Sequence, residues 1–198
     1  MNRYSFHTAF GLGALAVIWV AAAVASSHLL VLCMCAVIGL VYLIGAQELQ
    51  HYRQDTKALN QALRNIPEQM NDLTDWLVSL PATLQSPVRS RIEGERVALP
   101  GPGLTPYLVG LLVLLGMLGT FLGMVVTLNG AVFALEGSNN IEGIRAAFSQ
   151  PIKGLGLAFG TSVAGVATSA MLGLMSSLVR RERAQASQTL DSCMASTL

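Results

Sequence analysis

Small and hydroxyl side chains recur at helical spacing in two apolar stretches of this chain, residues 106–135 and 154–179. In the second stretch one helical face carries a residue of this kind at every fourth position: Thr161, Gly165, Ser169 and Gly173. Small residues at this spacing let two membrane helices pack closely, and hydroxyls can hydrogen-bond a polar guest inside a bilayer. The pattern therefore predicts helix packing together with a polar lining for an ion or ligand.

The candidate residues form two groups. The helix-packing group consists of seven glycines and one serine: Gly116, Gly119, Gly123, Gly156, Gly160, Gly165, Ser169 and Gly173. The channel-lining group consists of the hydroxyls beside them: Thr120, Thr161, Ser162 and Thr168. An ordinary transmembrane role stays open for the second group, because Ser and Thr in a helix often bond the carbonyl one turn back.

Both stretches lack Asp, Glu, Lys, Arg and His, which limits how the chain could move an ion. An ionisable side chain near the bilayer centre costs roughly 2.5–3.5 kcal/mol, so where one occurs it usually marks an ion path. Two earlier apolar runs carry none either, apart from His28 in the turn between them. The chain therefore cannot form a conventional proton relay alone, and a titratable group would have to come from a partner chain.

No set of side chains in the sequence suits catalysis or metal binding. Cys33 and Cys35 are two residues apart and so lie on different faces of a helix, and Cys193 is distant from both. None of the three has a histidine or carboxylate at ligand spacing. The net charge of +1 argues against nucleic-acid binding. We therefore expect no enzyme activity, no metal, no cofactor and no nucleic-acid partner.

Composition places the chain among membrane proteins, because 53% of its residues are hydrophobic and only 12% are charged. Four apolar runs are long enough to cross a bilayer as helices: residues 8–25, 29–46, 106–135 and 154–179. Residues 26–28 alone separate the first two runs, which favours a helical hairpin over a cleaved signal peptide. The expected fold class is all-α, a polytopic membrane protein with four transmembrane helices.

The basic residues are unevenly distributed between these runs. Six of the twelve Lys and Arg residues lie in 47–104, three follow the fourth run, and the turn 26–28 has none. By the positive-inside rule, both termini and the segment 47–104 are cytoplasmic, while the loops 26–28 and 136–153 are external.

The segment 47–104 carries an a/d heptad pattern, with steps of three and four. Its seam positions are Leu49, Tyr52, Thr56, Leu59, Leu63, Ile66, Met70, Leu73, Leu77 and Leu80. Such a seam needs a partner, either a neighbouring subunit or the cytoplasmic end of another helix in this chain; a helix lying on the membrane surface is the alternative. Pro67 predicts a kink or a new helix start. Residues 83–103 predict a Pro/Gly-rich loop, and 180–198 a helical tail.

Two strings in the last apolar runs resemble a known family. LGMLGTFLGMVVTL and IKGLGLAFGTSVAGVATSAMLGL are similar to the core of the MotA/TolQ/ExbB proton-channel family, which includes the stator subunits of Zorya-type phage-defence systems. The resemblance covers about residues 105–185. The order of two helices, a cytoplasmic segment and two further helices resembles the MotA-like layout more than the three-helix ExbB layout.

The resemblance implies a homopentamer in the bacterial inner membrane, enclosing single-span partner chains of the MotB/ExbD/TolR type. Each partner supplies an Asp that carries the proton. Thr120 and Thr161 match the family's pore threonines and would face this carboxylate. ExbB-like members carry a Glu about one turn before the last-helix threonine, whereas residues 153–156 here read KGLG. A MotA-like lining of hydroxyls and apolar side chains is therefore expected.

Two other functions fit parts of the pattern. A membrane scaffold with a cytoplasmic coiled coil would need neither the hydroxyls nor an Asp-bearing partner. A small secondary transporter fits less well, because the sequence has no internal repeat and no matched pair of interrupted helices.

Overall fold

The computed structural model describes residues 3–24, 29–63, 73–93, 95, 97–136 and 141–197. In these ranges every ordered element is a helix, which confirms the all-α class. The six α-helices are α1 (Arg3–Val24), α2 (Leu29–Ala62), α3 (Leu73–Val78), α4 (Ala82–Ile92), α5 (Thr105–Glu136) and α6 (Ile141–Thr197).

Four of these helices are long and apolar enough to cross a membrane, as the sequence predicts. The four segments are Ser5–Ala23, Leu29–Ala62, Thr105–Gly130 and Ala158–Cys193. Helix α2 continues well beyond the apolar run that begins it. Helix α6 extends beyond both ends of its apolar run and has 57 residues. At 1.5 Å per residue, α6 is roughly 85 Å long, nearly three times the thickness of the hydrocarbon core.

The prediction of a loop over 136–153 is wrong for most of that range, because α6 begins at Ile141. The segment is polar, and polarity argues against its lying in the bilayer core. Polarity does not prevent a helix, however, and Arg and Ala are strong helix formers. The backbone therefore stays helical through Pro151 into the apolar run.

The chain divides into two compact units. The span unit comprises Met1–Ala46 and Pro106–Leu174, and the tail unit comprises Gln47–Thr105 and Met175–Leu198.

In the span unit, α2 packs against α1 and α6. The Tyr42 hydroxyl donates a hydrogen bond to the Phe10 carbonyl oxygen at 3.1 Å, and the two rings stack with centroids 5.7 Å apart. Gly13 makes room for the Tyr42 ring, because a Cβ at this position would overlap it. A buried cluster then joins α1 and α2 to α6: Val20, Val31, Cys35 and Ala164.

In the tail unit, the distal parts of α2 and α6 pack together with α3 and α4. Their core consists of Leu59, Leu63, Trp76, Leu80, Leu84, Val88, Ala186 and Leu190. The heptad positions Leu49, Tyr52, Thr56, Leu59 and Leu63 are all buried. The distal part of α6 in the same chain covers this seam, so another helix of this chain is one partner of the heptad pattern. Ile66, Pro67 and Met70 lie outside the described residues.

The predicted loop over 83–103 is wrong as far as Ile92, because α4 occupies Ala82–Ile92 despite Pro87. Proline inside a helix costs about 3 kcal/mol. Leu84 and Val88 are each fully buried in the tail-unit core, and each contributes roughly 1.5–3 kcal/mol. Tertiary packing therefore offsets the cost of the proline. Of the described residues in this range, those from 97 to 103 form no regular element.

Truncating Leu59 to alanine should lower the free energy of unfolding of the tail unit by about 2–5 kcal/mol, because the side chain is fully buried in its core. Val78→Ala is the control, since Val78 is 69% exposed, and its cost should stay below about 0.5 kcal/mol. Trp76 reports unfolding by fluorescence in a Trp19→Phe background, where it is the one remaining tryptophan. Equal losses in both variants would contradict this core assignment.

Candidate functional site

Helices α5 and α6 cross so closely that their backbones touch. A Cβ added to Gly165 would lie 2.7 Å from the Cα of Gly116 and 2.7 Å from the carbonyl oxygen of Leu112. Both neighbours are backbone atoms, which cannot turn aside. Only glycine fits at position 165, and this contact fixes where the two helices meet.

On one side of the contact between Gly116 and Gly165, further residues of α5 and α6 pack closely against each other. A Cβ at Gly119 would lie 2.6 Å from the Thr161 hydroxyl oxygen, and one at Gly123 would lie 2.6 Å from the Cβ of Ala158. Residue numbers rise along α5 as they fall along α6, so the helices run antiparallel. The face formed by Gly116, Gly119 and Gly123 is the surface on which α6 lies.

A hydrogen bond between the helices supports the other side of the crossing. The Ser169 hydroxyl donates to the Val109 carbonyl oxygen at 2.8 Å. A Cβ at Gly173 would make an ordinary contact with Val109, 3.9 Å from its Cγ1. Cross-helix hydrogen bonds of this kind contribute about 0.6–1.7 kcal/mol in membrane proteins.

Two glycines of the packing group lie away from this crossing. Gly160 faces α1, where a Cβ would come 3.2 Å from the Cγ1 of Val20. Gly156 is exposed, and among the described residues no atom lies within 4 Å of its Cβ position. The glycines and the serine of the packing group therefore serve two different helix contacts, α6 with α5 and α6 with α1. Gly156 makes no such contact with the described residues of this chain.

Two hydroxyls of the lining group are buried inside the subunit. Thr161 and Thr168 are both 0% exposed. Their hydroxyls donate to the carbonyl oxygens of Ala158 and Ala164, each at 2.7 Å. These side chains stay buried when rigid copies of the chain assemble, because their own chain covers them. A ligand or a partner side chain can reach the Thr161 hydroxyl only if α5 and α6 separate.

Thr120 and Ser162 are partly exposed, so a guest can reach them in this conformation. The Thr120 hydroxyl donates to the Met117 carbonyl oxygen at 2.6 Å, which leaves the lone pairs of its oxygen free to accept a hydrogen bond. Thr127, seven residues further along α5, is also partly exposed and donates to the Met124 carbonyl oxygen at 2.9 Å. The sequence interpretation missed Thr127, although residues seven apart share one helical face.

The rest of the described surface of α5 is mainly apolar, and Asn129 is an exposed polar exception. Its exposed large hydrophobic residues are Tyr107, Leu111, Leu114, Met117, Leu118, Phe121, Met124, Val125, Val126, Leu128 and Val132. Only 22% of the most apolar part of α5, within Thr105–Gly130, is buried in the chain. Lipid or a further protein chain must therefore cover most of this helix in the membrane. Among the described residues, no group of three His, Cys, Asp or Glu side chains could hold a metal ion.

Comparisons with known protein families, with curated proteins and with solved structures give no match to this chain. Two strings in the sequence resemble the MotA/TolQ/ExbB family, and membership of this family stays a prediction. The evidence for a function therefore comes from the geometry of α5 and α6.

Proposed function

We propose that the chain is the ion-conducting stator subunit of a proton-driven motor of the MotA/TolQ/ExbB type. Five copies surround the transmembrane helices of a MotB/ExbD/TolR-like partner, whose Asp carries the proton. The protein lies in the bacterial inner membrane with both termini and the segment 47–104 in the cytoplasm. Proton flow through the assembly is converted into rotation or force.

The observation that carries this proposal is the hydroxyl pair on a mainly apolar, largely uncovered helix. Thr120 and Thr127 lie partly exposed on α5, and the stretch 106–135 has no charged residue. A protonated Asp can donate its O–H to the free lone pairs of these two hydroxyls. An ionised Asp only accepts hydrogen bonds, so to hold it a threonine must rotate its O–H away from the carbonyl oxygen of Met117 or Met124. Such a surface can receive a carboxylate from another chain without supplying one.

The energies are compatible with this mechanism. One proton that crosses a potential of 100 mV releases about 2.3 kcal/mol. Holding an ionised carboxylate near the bilayer centre costs roughly 2.5–3.5 kcal/mol. These two free energies are comparable. A small stabilisation of the ionised carboxylate by hydroxyls such as Thr120 therefore lowers its cost to the free energy that one proton releases.

The crossing of α5 and α6 would serve this function as a rigid wall. Gly116 and Gly165 hold the two helices at backbone contact, so the exposed hydroxyls of α5 keep a fixed position. Thr161 and Thr168 then contribute to the wall through packing, and Thr120 with Ser162 would meet the partner's carboxylate first.

The first test is the composition of the purified complex. We expect native mass spectrometry of the protein from its own membrane to show five copies together with a single-span chain that has an Asp in its apolar segment. The control is a variant of the partner in which this Asp is replaced by Asn. It should still assemble with five copies of the subunit. A smaller oligomer without any such partner would contradict the proposal.

A membrane scaffold without ion conduction is the second candidate. The hydrogen bonds of Thr161 and Thr168 to carbonyls one turn back favour it, because ordinary packing fully explains these two hydroxyls. A scaffold would tolerate loss of the Thr120 hydroxyl, whereas a conducting subunit would not.

A further inference from the structure

The tail unit contains a buried arginine whose guanidinium is not fully paired. Arg183 on α6 is only 5% exposed, and its Nε and Nη1 atoms have no hydrogen-bond acceptor among the described residues. Its guanidinium lies over the Tyr52 ring, 4.1 Å from the centroid. A cation–π contact of this kind holds the group in place, but it does not satisfy the N–H donors.

An unsatisfied buried cation is costly, and arginine cannot lose its charge to avoid that cost. Two other arginines of the tail unit show the usual solution. The Arg53 Nε lies 3.2 Å from a carboxylate oxygen of Glu182, and the Arg91 Nη1 lies 2.7 Å from one of Asp191. Arg183 has no such carboxylate in the part of the chain that is described, so it differs from both.

The Arg183 side chain borders an open pocket of about 420 Å³. Three arginines line it (Arg91, Arg180 and Arg183), together with Ser187 and Tyr52, and none of its lining residues is an acid. Asp191 already neutralises Arg91. Arg180 and Arg183 therefore leave the pocket with a net positive charge, and its volume is in the range of small-ligand sites.

The pocket lies where the chain leaves its apolar stretches. Arg180 directly follows Val179, the last residue of an uncharged run, and Pro102 lies just before α5 begins at Thr105. Lipid phosphates occupy this boundary in a bilayer, and basic pockets beside transmembrane helices bind anionic headgroups. Arginine matches phosphate oxygens through paired N–H donors.

We propose that this pocket, defined by Tyr52, Arg91, Arg180 and Arg183, is a phosphate-binding site. Its ligand is the phosphate of an anionic phospholipid headgroup or a soluble phosphate. The Nε and Nη1 atoms of Arg183 are shielded from solvent in this conformation, so a rotation of the guanidinium would bring their N–H donors to the phosphate oxygens. The contact with the Tyr52 ring limits the orientation of the guanidinium, and Arg180 adds positive charge to the lining. This site does not depend on ion conduction and would serve a scaffold equally well.

The experiment compares anions in membranes of stated composition. The full chain is reconstituted in nanodiscs of phosphatidylcholine alone, of phosphatidylcholine with phosphatidylglycerol, and of phosphatidylcholine with added inorganic phosphate. Sodium chloride keeps the ionic strength equal. Thermal unfolding measures the stabilisation, and native mass spectrometry measures phosphatidylglycerol that stays bound after the protein is released from the disc.

The matched variants lie two residues apart on α6. Arg183→Gln should abolish the stabilisation and weaken phosphatidylglycerol retention about tenfold or more, the loss expected for charge-assisted hydrogen bonds. Arg181→Gln removes the same charge from an exposed position that does not line the pocket and should behave like the wild type. In phosphatidylcholine alone, Arg183→Gln should unfold at or above the wild-type temperature, because an unpaired buried charge has been removed.

Each outcome is decisive. Stabilisation by phosphatidylglycerol that depends on Arg183 identifies a lipid headgroup, and the same dependence with inorganic phosphate identifies a soluble ligand. Equal stabilisation of wild type and Arg183→Gln, or none with either anion, would overturn the proposal and leave water as the partner of the guanidinium. If Arg183→Gln does not fold, Arg180→Gln replaces it, because Arg180 is exposed and still lines the pocket.

Discussion

Gly165→Leu should prevent the chain from reaching its folded state in the membrane. The new side chain would start at a Cβ 2.7 Å from the Gly116 Cα and 2.7 Å from the Leu112 carbonyl oxygen. Overpacking usually costs about 1–3 kcal/mol where side chains can move aside. Here the obstacles are backbone atoms, so α5 and α6 must part along their whole contact, and we expect a loss above about 3 kcal/mol.

The measurement is the yield of monodisperse protein on size-exclusion chromatography, followed by thermal unfolding of what is recovered. Gly156→Leu is the control on the same helix, because the Cβ position of Gly156 has no described atom within 4 Å. It should give wild-type yield of the single chain. A folded Gly165→Leu protein of unchanged stability would show that the crossing of α5 and α6 is not as the structure has it.

Thr120→Val should reduce proton flux about tenfold or more. The substitution keeps the shape of the side chain and removes the hydroxyl that a carboxylate can reach from outside the subunit. A hydrogen bond to a charged group contributes about 1.5–3 kcal/mol, which corresponds to roughly 10- to 150-fold in a rate or an equilibrium. The assay is acidification of liposomes that contain the subunit with its partner, followed by a pH-sensitive dye.

Thr161→Val is the informative comparison, because the resemblance assigns Thr161 the same role as Thr120. The Thr161 hydroxyl is 0% exposed and bonds within its own helix, so this variant should keep flux within about twofold of the wild type. Thr8→Val on α1 controls for loss of an exposed hydroxyl elsewhere. Loss of flux in Thr161→Val with normal flux in Thr120→Val would mean that α5 and α6 separate during conduction.

The main helices are predictable from sequence because apolar length alone specifies them. Runs of about 20 apolar residues have no stable alternative to a helix in a bilayer. The tail unit is harder to predict. Pro87 argued against α4, and only the burial of Leu84 and Val88 against distant residues explains why the helix forms there. Likewise the heptad seam indicated that a partner exists but could not say which helix supplies it.

The candidate site shows where sequence reasoning stops. Spacing places Thr161 and Gly165 on one face of α6, but the register of α5 against α6 decides that Gly119 covers the Thr161 hydroxyl. In the sequence, the three arginines after the fourth apolar run all indicate the same thing, a cytoplasmic segment. The fold distinguishes them, because Arg183 is buried against the Tyr52 ring while Arg181 is exposed.

The most direct test of the motor proposal is an electron cryo-microscopy map of the assembled protein in nanodiscs. Five copies should enclose a lumen that contains the helix of a single-span partner, with its Asp within hydrogen-bonding distance of a Thr120 hydroxyl. A lumen filled only with lipid, or Thr120 directed towards the acyl chains outside the assembly, would contradict it.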